Sequence, residues 1–144
     1  MTTTGSALQL DEQVCYALAV ASRSVIALYR PLLEPLGMTH PQYLVMLALW
    51  ESDRRTVGEL AGALRLEAAT LSPLLKRLET LGYVRRTRRE TDERVVEITL
   101  TGAGSAIRAD AETIPARIVE RLGLPVERLE SLREALKEII QASG

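Results

Sequence analysis

Three side chains in this 144-residue sequence stand out for their chemistry: the lone cysteine Cys15, Tyr29 fourteen positions later, and the only histidine, His40. A thiol reacts as its thiolate, and a tyrosine hydroxyl donating to sulfur favours that form. On one helix the Cys15–Tyr29 spacing puts both on nearly the same face but about 21 Å apart. They can meet only if the first helices of two copies run antiparallel. The competing reading is a small packed hydrophobe. Asp11, Glu12, Leu18 and Ala19 lie one turn from the sulfur. The acids raise a thiol's pKa, so activation has to come from the helix start, capped by Asp11 or Ser6, or from a partner chain. His40 follows Thr39 and precedes Pro41. It reads as a helix-start residue or as a second partner for the sulfur.

A second chemistry lies further on. From Lys76 to Arg94 there are seven basic residues against four acidic ones, a local charge of +3 on a chain whose total is −1. Such a patch suits phosphate neutralisation, which makes binding strongly salt-dependent. The alternative is a solvated charged hairpin. Asp92 and Arg94 are two apart, on one side of an extended segment, so the aspartate can aim the arginine or sit beside it as an ordinary turn residue.

The elements that must position these groups follow from periodicity. Val14, Leu18, Ala21, Val25, Leu28 and Leu32 form a heptad-like seam, ended by Pro31, Pro35 and Gly37. Thr39 caps a second helix with Pro41 in its first turn, and its run YLVMLALW is apolar nearly all round. SDRR at 52–55 reads as a loop. Thr56 and Glu59 have capping-box spacing ahead of a third helix. A turn at 65–67 leads to a fourth, with Leu71, Leu74, Leu75, Leu78 and Leu81 inward and Gly82 as its stop. YVRRTR and VVEITL read as strands joined by a charged link, RETDER. Thr101 opens a fifth helix to about Arg121, kinked at Pro115. Pro125 starts a sixth, striped by Val126, Leu129, Leu132, Leu136 and Ile139.

Two short helices joined by a tight turn and followed by a charged hairpin make a winged helix-turn-helix. The fold class is therefore mainly α with a small β-hairpin. On the fourth helix Ala69, Thr70, Ser72 and Pro73 face base edges, while Lys76 and Arg77 reach phosphates. On the hairpin Arg86, Arg88, Asp92 and Arg94 complete the set. The expected organisation is one domain over 1–144. Residues 8–37 and 102–144 form dimerisation helices around a DNA-binding region at 39–100, and a twofold dimer matches palindromic DNA.

Composition narrows the rest. One cysteine excludes an internal disulfide framework, and with a single histidine it argues against a Cys/His zinc site. No cofactor or metal is expected. The N-terminus lacks a basic start and an apolar stretch, and the run from Tyr43 to Trp50 is too short to span a bilayer, so a reducing cytoplasm and no membrane partner are expected.

The blocks LDEQVCYAL, YRPLLEPLGMTHPQYLVMLALWE and LSPLLKRLETLGYVRRTRRETDERVVEITLT together resemble the multiple antibiotic resistance regulator (MarR) family. Within it they are most similar to the organic hydroperoxide resistance regulators, over about residues 8 to 140. The resemblance implies a homodimeric winged-helix repressor whose Cys15 is oxidised by an organic hydroperoxide, after which the dimer leaves its operator. It places Tyr29 of the other subunit against the sulfur and gives Asp92 and Arg94 as the wing pair. Ala19 and His40 stand where tyrosine is common, so His40 is a substitute partner. Glu67 and Ala68 replace the more usual Asp-Ser. With no second cysteine, the chain resembles the one-cysteine type.

Three other readings stay open: a repressor induced by a non-covalently bound small aromatic ligand, a thiol peroxidase using Cys15, and a helical interaction module with no DNA role. The sequence offers no resolving thiol and no catalytic His/Asp set, so a regulator rather than an enzyme is expected.

Overall fold

The computed structural model describes residues 8–10 and 13–144. Ser6 and Asp11, the two expected caps of the first helix, lie outside the described residues. Two compact units are present, Met1–Ala111 and Glu112–Gly144.

In the first unit, α1 (Val14–Leu33) carries Pro31 in its last turn and passes into a short 3-10 turn, Glu34–Leu36. Of the α1 residues only Leu33 is fully buried; along the predicted seam Val14 and Ala21 are exposed, and Leu18, Val25, Leu28 and Leu32 are half-buried. Next is α2 (His40–Glu51), whose first turn is held by the Gln42 side chain, accepting from the Thr39 amide at 2.9 Å. Its residues Tyr43, Val45, Met46 and Leu49 are at the centre of the core.

β1 (Arg55–Thr56) leads directly into α3 (Val57–Leu64). The expected box is there: Thr56 Oγ1 accepts from the Glu59 amide at 3.0 Å, and the Glu59 carboxylate accepts from the Thr56 amide at 2.8 Å. Arg65, in the left-handed region at φ 54°, turns the chain into α4 (Ala68–Thr80). Leu71, Leu75 and Leu78 are fully buried, as the spacing requires, each contributing about 2 kcal/mol. Gly82, at φ 83°, makes the stop that favours glycine.

The hairpin is β2 (Val84–Arg89) and β3 (Asp92–Leu100). The sheet order is β1-β3-β2, all antiparallel. Two expectations are corrected here. Arg55 is not loop but strand, because β3 supplies a ladder partner at Ile98. The link between the long strands shrinks from RETDER to Glu90 and Thr91, because Asp92 already pairs with Arg89. The register shifts between Arg88 and Arg89, and in that bulge the Arg88 guanidinium donates to the Glu93 carbonyl at 2.9 Å.

The single helix expected from Thr101 to Arg121 is instead three: α5 (Gly102–Ala106), α6 (Arg108–Ala111) and, in the second unit, α7 (Ile114–Leu122). Pro115 is therefore a first-turn residue and not a kink, a position where its missing N–H removes no helical bond. Within the first unit, Trp50 Nε1 donates to the Gly104 carbonyl at 2.9 Å. A Cβ on Gly104 would lie 2.0 Å from the Tyr83 carbonyl oxygen, so only glycine lets α5 approach the turn after α4. In the second unit, α7 buries Ile114 and Ile118, and α8 (Val126–Ser143) begins after Pro125 and buries none of its residues.

Candidate functional site

α4 presents the predicted reading face. Ala69, Thr70, Ser72, Pro73, Lys76 and Arg77 are all exposed, opposite the buried leucines. Pro73 lies inside the helix and has no amide hydrogen to offer the carbonyl one turn back. The small side chains of the first turns leave room for a close approach to base edges.

The wing adds Arg86, Arg88 and Arg94, all exposed, and half-buried Asp92. Asp92 Oδ1 accepts from the Arg94 amide at 3.1 Å and from Arg94 Nε at 3.2 Å, so the expected pairing geometry is present. The two Arg94 hydrogen bonds hold the Asp92 carboxyl below its usual pKa, backbone bond first, and the Arg89 charge adds to this. Glu59 is lowered chiefly by its hydrogen bonds with Thr56, then by the charges of Arg89 and Arg55.

Sequence reasoning missed a second set at the wing root. Arg89 donates to Glu97 Oε2 from Nε at 3.2 Å and from Nη2 at 2.9 Å, and Arg54 Nη1 lies 3.9 Å from Glu97 Oε1. These pairs depend on the register of β2 and β3 and on where β1 begins, which spacing alone does not fix.

The residues expected around the thiol lie apart from it within the single chain. Cys15 is exposed on α1 in the single chain. Tyr29 and His40 are brought together: their rings stand edge to face with centroids 4.7 Å apart. Tyr43, which the sequence reading left in the core, joins them at 5.7 Å from Tyr29 and 6.2 Å from His40. The available signal was its place three residues after His40, on the same helix face. Burial raises the pKa of Tyr29, and burial and then the Tyr29 charge raise that of Tyr43. Burial lowers that of His40, favouring the neutral ring.

A helix-turn-helix carrying an exposed polar helix face and a basic wing defines a winged-helix transcriptional regulator. Comparison with known proteins makes this specific. The family model described as transcriptional regulator SarA/Rot matches residues 27–110. The organic hydroperoxide resistance transcriptional regulator of Bacillus subtilis (strain 168) is 39% identical over 134 residues, 93% of this chain and 91% of that protein. The structure of reduced AbfR bound to DNA, from a protein of Staphylococcus epidermidis, matches with a TM-score of 0.78 and 34% identity over 94% of each chain. That of overoxidized AbfR bound to DNA matches with a TM-score of 0.73 and 35% identity, over 92% of this chain and 96% of that one. The chain belongs to the MarR-type winged-helix transcriptional regulators, among the SarA/Rot and organic hydroperoxide resistance regulators. No described helix is long and apolar enough to cross a membrane.

Proposed function

We propose that this protein is a cytoplasmic, homodimeric repressor that releases its operator when an organic hydroperoxide oxidises Cys15. The observation that carries the reading is the exposed sulfur on a helix whose apolar seam a single chain covers only in part. Residues 8–37 and 102–144 supply the dimer helices, and residues 39–100 the DNA-binding region. Ala69, Thr70, Ser72 and Pro73 meet bases. Lys76, Arg77, Arg86 and Arg88 meet phosphates, and Asp92 aims Arg94 from the wing.

In the mechanism, the Cys15 thiolate attacks a peroxide oxygen. An S–O bond forms, the O–O bond breaks, and the alkoxide leaves and takes a proton as the alcohol. Tyr29 and His40 of the other protomer pack against the sulfur in the reduced state. The chain has no second cysteine, so the sulfenic acid condenses with a small cellular thiol, forming a mixed disulfide and water. Overoxidized AbfR is found on DNA, which favours the bulkier mixed disulfide over added oxygen as the releasing form. Its bulk separates the helices and alters the spacing of the two α4 heads. A complete switch needs about 5 kcal/mol of lost operator affinity.

A gel shift tests this, using the DNA upstream of the protein's own gene, wild type and Cys15→Ser, with and without an alkyl hydroperoxide and a small thiol. Both proteins bind and only the wild type releases. Release of the serine variant excludes thiol chemistry. It would favour a second reading, a non-covalently bound small aromatic inducer, which the groove of about 480 Å³ beside Ile26, Arg30, Met38 and His40 has room to take. Peroxide consumption stops after one equivalent per thiol. Sustained turnover would make the protein a thiol peroxidase.

A further inference from the structure

Glu97 has a peculiar place in the wing. It stands on β3, the central strand, opposite Thr56 of β1 and Thr87 of β2. Its side chain is only 13% exposed, yet its carboxylate meets two arginines from opposite sides. Both nitrogens of the Arg89 fork that reach it bind one oxygen, and Arg54 approaches the other. Two charge-assisted bonds to a half-buried carboxylate make the Arg89 pair much firmer than the Arg54 contact, in which the arginine is 71% exposed.

Arg89 also lies where two grooves meet. One, of about 490 Å³, is lined by Arg54, Arg85, Arg88 and Glu97. The other, of about 590 Å³, runs past the start of α3 at Thr56, Val57 and Gly58 to Arg86 and Arg94, which belong to the proposed DNA-contacting surface. The arginine is thus placed to serve phosphates and is held instead by an internal carboxylate. Without that carboxylate the wing root would be a cluster of arginines with generic affinity for any phosphate backbone, since sequence-independent binding scales with the phosphates neutralised.

We infer that Glu97 is a specificity-determining residue: by holding Arg89 it withholds a cation from the phosphate-binding set and lowers affinity for non-operator DNA. The inference rests on the DNA-binding reading proposed above. It concerns charge more than shape, because a glutamine at 97 still offers an oxygen to Arg89 while removing the negative charge. Arg89 then becomes available to a phosphate at little cost.

The test uses the full chain, a duplex from upstream of its own gene, and a scrambled duplex of the same composition, with affinity read by fluorescence anisotropy from roughly 50 to 300 mM salt. Glu97→Gln binds the scrambled duplex about three- to tenfold more tightly at the low-salt end, with the log–log salt slope steeper by about 0.9 for each phosphate gained. The own-gene duplex gains less, so the ratio of the two affinities falls. The double variant Arg89→Gln/Glu97→Gln removes a neutral pair and keeps the wild-type slope on scrambled DNA. A double variant whose slope is shallower, by about 0.9 for each Arg89 of the dimer, would show Arg89 already on a phosphate and overturn the inference. So would a Glu97→Gln protein that binds scrambled DNA no better than wild type. Wild type that binds neither duplex in a salt-dependent way would remove the DNA-binding reading itself, and this inference with it.

Discussion

His40 and Tyr29 stand edge to face, ring centroids 4.7 Å apart and planes at 63°, joining the start of α2 to the last third of α1. The contact half-buries the imidazole and favours its neutral form. A histidine whose pKa falls on folding binds fewer protons when folded than when unfolded. Its contribution to stability is present above about pH 6.5, the unfolded value, and is lost as pH falls toward the lower folded value. Urea unfolding at pH 7.5 and at pH 5.5 should therefore show a larger loss for wild type than for His40→Phe, which keeps a ring beside Tyr29 and cannot titrate. Equal losses in the two proteins would mean that His40 does not control this pH dependence.

What the sequence revealed about this molecule was mostly local. The Thr56–Glu59 box and the Asp92–Arg94 pair span three and two residues, within which side-chain directions follow from the backbone type alone. The exposed face of α4 followed from helical periodicity. What escaped depends on distant chain. The two residues of β1 are strand only because β3 lies beside them. Glu97 meets Arg89 only through a register set by a bulge. The breaks that divide the predicted 101–121 helix into α5, α6 and α7, at Ile107 and at Glu112–Thr113, carry no proline or glycine, and Pro115 sits at the start of α7, after them.

Thr56 closes the sheet edge and opens α3 at once. Replacing it with alanine removes the acceptor for the Glu59 amide and the side-chain part of what lowers the Glu59 pKa, while the Thr56 amide, the larger cause, still donates to the carboxylate. The expected loss is about 1 kcal/mol, a fall of about 3 °C in melting temperature for a chain of this size. Calorimetry on Thr56→Ala and Thr56→Ser separates the hydroxyl from the methyl group, and serine should retain most of the stability. Glu59 adds a pH signature. Its lowered pKa stabilises the fold above about pH 4.5, and this is lost as pH falls toward the folded value. That step should shrink in Thr56→Ala.

The uncovered apolar residues of α8 make the proposed dimer testable without DNA. Val126, Leu132, Ile139 and Ile140 are 40% exposed or more, and α8 buries none of its residues in a single chain. Helices of this kind need a partner surface. Sedimentation equilibrium should give about twice the 15.9 kDa chain mass for wild type. Leu132→Glu with Ile139→Glu should shift the protein toward the single-chain mass while leaving its circular dichroism helical. A variant pair that stays at the wild-type mass would place the interface elsewhere.

On α4 the proposed division of labour between phosphate and base contacts predicts two different failures. Lys76 is exposed one turn beyond Ser72, and its backbone carbonyl accepts from the Thr80 hydroxyl at 3.0 Å, so Lys76→Ala removes a charge while leaving the last turn intact. Binding should weaken about equally on the own-gene and scrambled duplexes, with a salt slope shallower by about 1 for each subunit, about 2 for the dimer. Ser72→Ala removes a hydroxyl placed for a base edge and no charge. Its salt slope should stay at the wild-type value. Affinity should fall on the own-gene duplex alone, by about 1–3 kcal/mol, the usual range for one base contact. If Ser72→Ala instead weakens both duplexes alike, then Ser72 is a backbone contact and sequence is read elsewhere on the face.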